Sequence, residues 1–261
     1  AFPDWQATAA GLPTDGTWLR KGRRSSGGSQ VAPFLGLPAT EMRRLDYYQR
    51  RLAGTACAAA FVAANGEAVL LGVSRQLLFG DGPVQNAFRY AGSIGPLPLD
   101  ASLQESIVRV GRLLAREFRL EGLFGIDLIV DGVSVWLVEV NPRYPASVEV
   151  LERVSGVSAV QLHLAACREG RLPDERSRHL PGESSNKPLA GKQVVYATRG
   201  TQVTEAMARA LLDVSPDVER SLVADIPCAG TTIERGQPIA TVLADGDNMS
   251  EVEALLGERQ S

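Results

Sequence analysis

The chain has 261 residues, of which 44% are hydrophobic, and a formal net charge of −3. This length allows one large domain or two with a sizeable core. The negative charge argues against nucleic acid as the main partner, because nucleic-acid-binding proteins carry a basic field. No apolar run reaches membrane-spanning length and no leader pattern opens the chain, so we expect a cytoplasmic protein without a membrane partner.

Three cysteines are too few and too scattered for a disulfide framework or a zinc site. They are Cys57, Cys167 and Cys228, and each lies in apolar or mixed sequence. We predict that all three are buried thiols.

The first part of the chain predicts antiparallel strands joined by turns. Two strands flank the glycine-serine loop Ser25–Ser29, which makes a hairpin with a basic tip, and Asn65-Gly66 is a strong hairpin turn between two later strands. The predicted strands cover Gly16–Arg20, Gln30–Phe34, Leu45–Leu52, Cys57–Ala63 and Val69–Val73.

The middle and the end of the chain predict a mixture of helices and strands. The glycine- and proline-rich stretch Phe79–Leu99 is predicted to be a long loop, and Ser102–Arg119 has helical apolar spacing. The stretch Arg171–Lys192 is rich in prolines, serines and charges, which is typical of a linker. Further helices are predicted at Ala146–Leu151, Ala159–Arg168, Thr204–Asp213 and Ser250–Gly257, and strands at Gln193–Thr198, Val223–Ile226 and Ile233–Leu243.

Carboxylates occur inside two apolar strands between Leu123 and Arg143. Glu139 lies between Val138 and Val140, where an unpaired charge out of water costs several kcal/mol unless a partner offsets it. Asn141 points from the same strand face as Glu139, so the strand offers a carboxylate and an amide oxygen to a divalent cation.

Asp127 on the preceding strand joins this set only if the loop between the strands has an odd number of residues. A three-residue loop, either Gly132-Val133-Ser134 or Asp131-Gly132-Val133, puts Asp127 and Glu139 on one face. A two-residue Asp131-Gly132 turn puts them on opposite faces. We predict a three-residue loop. The alternative is an ordinary hairpin whose acidic residues pair with nearby arginines.

Lys21 precedes a glycine-rich loop that could bind phosphate. Gly27 and Gly28 carry no side chain, so backbone N–H groups of this loop can approach oxyanions. The order differs from a P-loop, because the lysine comes before the glycines and a strand follows them.

These segments together resemble the ATP-grasp superfamily over about the first two thirds of the chain. The resemblance rests on the lysine strand with its glycine loop, the segment Tyr48–Gly54, and the late set of Asp127, Glu139, Asn141 and Arg143. The phrase Asn141–Glu149 resembles a branch related to biotin carboxylase, which includes the archaeal and methylotroph tyramine–glutamate ligases of methanofuran synthesis.

The resemblance implies an α/β (α+β) fold of two lobes that sandwich ATP, followed by a small C-terminal α+β or barrel-like module. The implied division is residues 1–75 for the small lobe, 76–175 for the large lobe, 176–192 for a linker and 193–261 for the module. Relatives have a leading α/β domain, which helps to form the substrate site and which this sequence lacks. We therefore expect either that the sequence is a piece of a larger protein or that the acceptor site is built differently, and we allow for a homo-oligomer.

The resemblance also implies a role for each site residue. Asp127, Glu139 and Asn141 would hold Mg2+, with Mn2+ as the alternative ion. Lys21 would contact the ATP phosphates as a catalytic residue, and Ser26, Gly27 and Gly28 would close over them. Gln49, Arg50, Arg51 and Leu52 would line the adenine pocket, and Arg143 would act on the transferred group. Relatives commonly have Gln-Glu in place of Gln49-Arg50, which puts one acidic nucleotide contact in doubt.

The implied activity is that of an ATP-dependent carboxylate–amine ligase that forms an acyl phosphate and releases ADP. Its small-molecule substrates are a carboxylate and an amine, with glutamate and an aromatic amine as the pair that the finer resemblance implies. The alternatives are a carboxylase-like or phosphotransferase enzyme with the same metal site, and a non-catalytic nucleotide-binding regulatory protein.

Other polar residues have simpler interpretations. His163 is predicted to be a structural histidine on a helix, and His179 to be solvated in the linker. Gln76, Arg89 and Tyr90 are predicted loop residues that could meet substrate.

Overall fold

The computed structural model describes residues 1–24, 27–28, 30–36, 46–79, 87–174, 188–214 and 221–259. The strands in these ranges are β1 Trp5–Gln6, β2 Trp18–Gly22, β3 Val31–Pro33, β4 Asp46–Arg50, β5 Thr55–Ala64, β6 Glu67–Leu78, β7 Tyr90–Gly95, β8 Gly122–Val130, β9 Val135–Asn141, β10 Leu189–Tyr196, β11 Thr201–Gln202, β12 Val223–Ala224, β13 Thr232–Ile233 and β14 Pro238–Gly246. The helices are α1 Ala101–Phe118, α2 Val148–Ser155, α3 Ala159–Glu169, α4 Glu205–Asp213 and α5 Met249–Glu258. None of these helices, within the described ranges, is long and apolar enough to cross a membrane.

An antiparallel sheet of eight strands is the centre of the molecule, and we call it the large sheet. Its order is β12-β14-β10-β7-β6-β5-β8-β9. β5 is an almost continuous run of alanine, phenylalanine and valine, and it is buried from Cys57 to Ala64. A strand buried on both faces has such a sequence, because each side of the sheet needs apolar side chains.

Helices cover both faces of the large sheet. On one face, Ile107 and Leu114 of α1 pack in the same core cluster as Phe61 of β5. On the other face, Val150 of α2 packs with Val62. Phe61 and Val62 are neighbours in sequence and point in opposite directions, as the period of a strand requires. α5 extends the first face by packing on β7, β10 and β14.

A second sheet of four strands, which we call the small sheet, has the order β1-β4-β2-β3. Its own core cluster contains Leu12, Phe34 and Tyr48, and the rings of Phe34 and Tyr48 meet edge to face at 5.0 Å. The hairpin of β2 and β3 confirms the predicted hairpin with a glycine-rich tip. The Asn65-Gly66 turn between β5 and β6 is also confirmed, with both residues at positive φ.

The predicted loop Phe79–Leu99 is wrong over its second half, because β7 runs from Tyr90 to Gly95 between β6 and β10. Its glycines made this strand resemble a loop in the sequence, and one of them is required by close packing against β10. A Cβ on Gly92 would clash with the carbonyl oxygen of Lys192 on β10, so the strand needs a glycine there.

The predicted domain boundaries differ from the sheet boundaries. β5 and β6 belong to the large sheet although they fall mainly within residues 1–75. Residues 189–192, assigned to the linker, lie in β10, and residues 175–187 lie outside the described residues. β10, β12 and β14 continue the large sheet instead of forming a separate barrel-like module. Pairing between strands far apart in sequence decides this, and local composition does not report it.

Candidate functional site

A cleft of about 360 Å³ lies between the small sheet and the large sheet. Every site residue predicted from the sequence lines it, except Ser26, which lies outside the described residues. These lining residues are Lys21, Gly27, Gly28, Gln49, Arg50, Arg51, Leu52, Asp127, Glu139, Asn141 and Arg143.

Asp127 and Glu139 face each other across the β8–β9 hairpin, as predicted. The three-residue loop is wrong, however, because residues 131–134 separate the strands and Val130 pairs with Val135. This even-numbered loop alone would put Asp127 opposite Val138. A β-bulge shifts the register between Asp127 and Leu128, leaves Val138 as the extra residue, and brings Glu139 opposite Asp127.

The two carboxylates have different surroundings. Asp127 is partly buried, and it accepts hydrogen bonds from Nε2 of Gln76 at 2.9 Å and from Nδ2 of Asn141 at 3.2 Å. Burial raises the pKa of Asp127 to about 6, and the charge of Glu139 adds to the rise. Glu139 itself is exposed to the cleft, which corrects the expectation that its charge is removed from water.

Asn141 connects Asp127 to Arg143. Its amide nitrogen donates to Asp127, while its Oδ1 accepts a hydrogen bond from Nη2 of Arg143 at 3.1 Å. Arg143 is exposed and also donates to the carbonyl oxygen of Tyr144 at 3.4 Å. The guanidinium is therefore held at the end of β9, one amide away from the carboxylate pair.

Lys21 faces the carboxylates from the small sheet. Its side chain is buried, and Nζ donates to Oε1 of Gln49 at 3.1 Å. Burial lowers the pKa of Lys21, while the charges of Glu139 and Asp127 oppose that effect. Within the described residues, this buried ammonium has one neutral hydrogen-bond acceptor and two carboxylates nearby, so it provides a positive charge that a phosphate oxygen could use.

The glycine turn packs against the segment that leads into β7. The carbonyl oxygen of Gly27 accepts a hydrogen bond from the N–H of Tyr90 at 3.0 Å. A Cβ on Gly28 would clash with the carbonyl oxygen of Phe88, whereas a Cβ on Gly27 would meet open space. Gly28 is thus required by close backbone contact, in addition to the phosphate role predicted from the sequence.

Apolar side chains also line the cleft. Leu19, Val31, Leu52, Leu78 and Ile129 line it. Next to them, the guanidinium of Arg51 lies 5.6 Å from the ring centre of Phe88. Sequence reasoning missed Phe88 because it stands in a segment without periodicity.

Arg50, the residue that departs from the family pattern, pairs with Asp4. The distance from Nη1 to Oδ2 is 3.4 Å and both side chains are exposed, so the pair contributes little to stability. The contact directs the Arg50 side chain toward β1 at the rim of the cleft.

The remaining predictions have mixed outcomes. Gln76 lies on β6, not in a loop, and contacts Asp127 directly. His163 has the predicted structural role, because its Nδ1 accepts a hydrogen bond from the N–H of Leu123 at 3.0 Å on helix α3. Among the cysteines, only Cys57 is buried; Cys167 and Cys228 are exposed, so that prediction is wrong for two of three. His179 lies outside the described residues.

Comparison with curated proteins identifies relatives that match part of this chain. The carbamoyl phosphate synthase large chain of Clostridium acetobutylicum is 34% identical over 99 residues, which are 38% of this chain and 9% of that protein. The formate-dependent phosphoribosylglycinamide formyltransferase of Pseudomonas aeruginosa is 32% identical over 134 residues, which are 50% of this chain and 33% of that protein. The chain therefore spans only a minor part of the length of these relatives.

Solved structures share the fold over nearly the full chain. The L-amino acid ligase from Bacillus licheniformis superposes with a TM-score of 0.68 at 16% identity, covering 99% of this chain and 66% of that one. Biotin carboxylase from Campylobacter jejuni superposes with a TM-score of 0.61 at 12% identity, covering 92% of this chain and 55% of that one. A family model described as the ATP-grasp domain matches residues 2–147, which is more than half of the 261 residues. The chain belongs to the ATP-grasp family.

Proposed function

We propose that this chain binds ATP and Mg2+ in the cleft and catalyses the ATP-dependent joining of a carboxylate to an amine through an acyl phosphate. The observation that carries the proposal is the meeting of Asp127 and Glu139 across the bulged hairpin, opposite the buried ammonium of Lys21. Two carboxylates and a lysine around one opening match the charges of a phosphate chain with its metal ion.

The donor set suits a magnesium ion that is shared with a nucleotide. Among the described residues, no group of three or more His, Cys, Asp or Glu side chains could hold a metal ion alone. Mg2+ usually takes one or two carboxylates and completes its coordination with substrate phosphates and water. The pKa of Asp127 is raised first by burial and then by repulsion from Glu139, and a bound cation would relieve both effects.

Asn141 would be the third protein ligand, as its position on β9 predicts. Its Oδ1 now accepts a hydrogen bond from Arg143, so metal binding by this oxygen requires the guanidinium to share or leave it. Arg143 would then be free to neutralise charge on the transferred phosphoryl group or on the acyl phosphate. Mg2+ supplies charge neutralisation on the phosphates in this scheme.

Lys21 would donate to the α and β phosphates, and the Gly27-Gly28 turn would close over them. Gln49 to Leu52 would line the adenine side of the cleft together with its apolar residues. Catalysis of this kind relies on positioning and on charge stabilisation, because phosphoryl transfer needs little covalent help from the protein.

For the substrates, we propose glutamate as the carboxylate and an aromatic amine such as tyramine as the acceptor, in one-carbon cofactor synthesis. The phrase Asn141–Glu149 supports this assignment by its resemblance to tyramine–glutamate ligases. The fold shared with the L-amino acid ligase is compatible with it. A second candidate is a carboxylase-like reaction with bicarbonate, which the fold shared with biotin carboxylase favours.

The products of ATP distinguish these activities. An acyl-phosphate ligase releases ADP only when its carboxylate is present, transfers oxygen-18 from that carboxylate into phosphate, and gives a hydroxamate with hydroxylamine. A carboxylase releases ADP with bicarbonate and gives no hydroxamate from glutamate. AMP and pyrophosphate as products would contradict both proposals, and ATP binding without turnover on any carboxylate would favour a regulatory protein.

A further inference from the structure

A second pair of opposite charges lies just beyond Ser147, a residue that lines the cleft, although neither member of the pair is itself among the lining residues. Lys192 on β10 has only 10% of its side chain exposed, and its Nζ donates to Oε2 of Glu149 at 2.8 Å. Glu149 stands in the first turn of α2, two residues after Ser147, which lines the cleft. No role predicted from the sequence involves this pair.

The strand register places the pair on the same face of the large sheet as Asp127. Gln76, which contacts Asp127, pairs with Ser93 on β7, and Ser93 pairs with Lys192 on β10. Neighbouring strands lie about 4.8 Å apart, so the backbone of Lys192 is about 10 Å from that of Gln76. Asp127 lies two strands further along the sheet, about 19 Å from Lys192 by backbone, so a carboxylate substrate and an amine side by side could occupy the distance between the proposed metal site and the ion pair.

Tyr90 lies between the two charged sites and lines the cleft. Burial raises the pKa of its phenol, and the charges of Glu149 and Asp127 both add to the rise. Its hydroxyl is 2.8 Å from Oγ of Ser93. A substrate beside Tyr90 would lie between β6, whose Gln76 contacts Asp127, and β10, which carries Lys192.

Other contacts also hold α2 on the large sheet. Arg153 of α2 already binds both carboxylate oxygens of Asp245 on β14, at 2.5 and 2.7 Å, and also donates to the carbonyl oxygen of Ser221. The apolar side of α2 packs in the core as well. A lysine as buried as Lys192 carries a desolvation cost, which a ligand-binding role would explain.

The carboxylate of Glu149 has a free side. Among the described residues, its hydrogen bond to Lys192 uses Oε2, and 36% of its side chain is exposed. A second, unpartnered acceptor lies nearby: Oγ of Ser147 is buried and has no hydrogen-bond partner in the described part of the chain. A carboxylate oxygen and a hydroxyl oxygen are the acceptors that a primary ammonium group needs.

We propose that Glu149 binds the ammonium group of the amine substrate and that Lys192 positions its carboxylate for this contact. The inference rests on the proposed ligase function, and it assigns the amine to the part of the cleft beyond Tyr90. The carboxylate substrate then lies between the amine and the phosphates that Asp127 and Glu139 would hold.

The test compares a charged and an uncharged nucleophile on the same acyl phosphate. Hydroxylamine is neutral near neutral pH and needs no carboxylate partner, whereas a primary amine arrives as an ammonium ion. Wild type, Glu149→Gln, Glu149→Asp and Lys192→Met are assayed with ATP, Mg2+ and L-glutamate, first for hydroxamate and then for amide formation with a panel of primary amines that includes tyramine. Glu152→Gln is the matched control, because Glu152 lies on the same helix but is occupied by Tyr144 and by the N–H of Ala159.

We expect Glu149→Gln to raise the KM for the amine about tenfold, because one charge-assisted hydrogen bond to the ammonium group is lost. The rate of hydroxamate formation should change by less than about twofold. Glu149→Asp should be affected less than Glu149→Gln, because it keeps the charge. Lys192→Met should raise the amine KM as well, and Glu152→Gln should leave the ratio of the two rates unchanged.

Equal losses of both rates in Glu149→Gln would mean a structural ion pair and would overturn the proposal, as would an unchanged amine KM. Hydroxamate formation by wild type without amide formation from any amine of the panel would overturn this inference alone. A wild-type protein that forms no hydroxamate would refute the ligase function, and this inference with it.

Discussion

The substitution Asp127→Asn should stabilise the nucleotide-free protein although it removes a proposed metal ligand. Burial and the nearby charge of Glu139 raise the pKa of Asp127 from 3.8 to about 6, against opposing hydrogen bonds from Asn141 and Gln76 and the charge of Lys21. The carboxylate is therefore held in its charged form at neutral pH at a cost to folding.

The sign follows from proton binding. The folded protein binds this proton more tightly than the unfolded chain, so the penalty is absent at a pH below 3.8, grows as the pH rises and is complete above about 6. A shift of about two pKa units corresponds to about 3 kcal/mol. An asparagine has one acceptor oxygen where Asp127 has two, so one of the hydrogen bonds from Gln76 and Asn141 is lost, which offsets about 1 kcal/mol. We expect a net gain of about 2 kcal/mol near neutral pH, or about 4 to 8 °C in melting temperature.

Thermal unfolding followed by circular dichroism, without Mg2+ or nucleotide, measures this difference in stability at neutral pH and at a pH near 3.8, the pKa of a free aspartate side chain. Asp131→Asn is the control on the same hairpin. Asp131 is exposed, and its hydrogen bond from Trp136 lowers its pKa, so its substitution should bring no stabilisation. With Mg2+ and ATP present, wild type should have the higher melting temperature, because it is stabilised by ligand binding that Asp127→Asn lacks. The reasoning is refuted if Asp127→Asn is no more stable than wild type at neutral pH.

Substitutions of other cleft residues should reduce ATP turnover, stability or ATP binding separately. Glu139→Gln should abolish Mg2+-dependent ATP turnover with little change in melting temperature, since the side chain is exposed; turnover at the wild-type rate would contradict its metal role. Gly28→Ala should lower the melting temperature and weaken the binding of a non-hydrolysable ATP analogue in calorimetric titration, because the added Cβ would clash with the backbone. Gly27→Ala adds a Cβ in open space and should lower the free energy of unfolding by only about 1 kcal/mol, for its positive φ. Equal effects of the two substitutions would argue against the close contact at Gly28. Arg143→Ala should lower kcat about a hundredfold while the ATP affinity in the same titration stays nearly unchanged, and a parallel loss of affinity would place the guanidinium on the resting nucleotide instead.

The site could be predicted from sequence because its polar residues interrupt apolar strands. Asp127 and Glu139 stand out for this reason, and so does Lys21 before its glycines. Helix α1 was equally visible, since Leu103, Ile107 and Leu114 follow the helical period and are buried. In each case the signal lies within a few residues, where backbone geometry alone determines which side chains share a face.

Pairing between distant segments could not be predicted in this way. β7 was hidden because Gly92 carries no side chain, and the need for that glycine appears only when the backbone of β10 lies beside it. The position of Lys192 beside Glu149 has the same origin, because their contact depends on where β10 joins the large sheet and on where α2 packs.

The meeting of Asp127 and Glu139, the two proposed metal ligands, shows what the sequence and the tertiary structure each contribute. The sequence by itself indicated that Asp127 and Glu139 would share a face if they bind one cation, because only there could the ion offset both charges. It did not determine how, because the loop that joins the strands has the wrong parity. The tertiary structure decided it through a bulge at Val138, where one extra residue shifts the register and turns Glu139 toward Asp127. A bulge of this kind depends on the pairing of two strands, so neither strand's own sequence reports it.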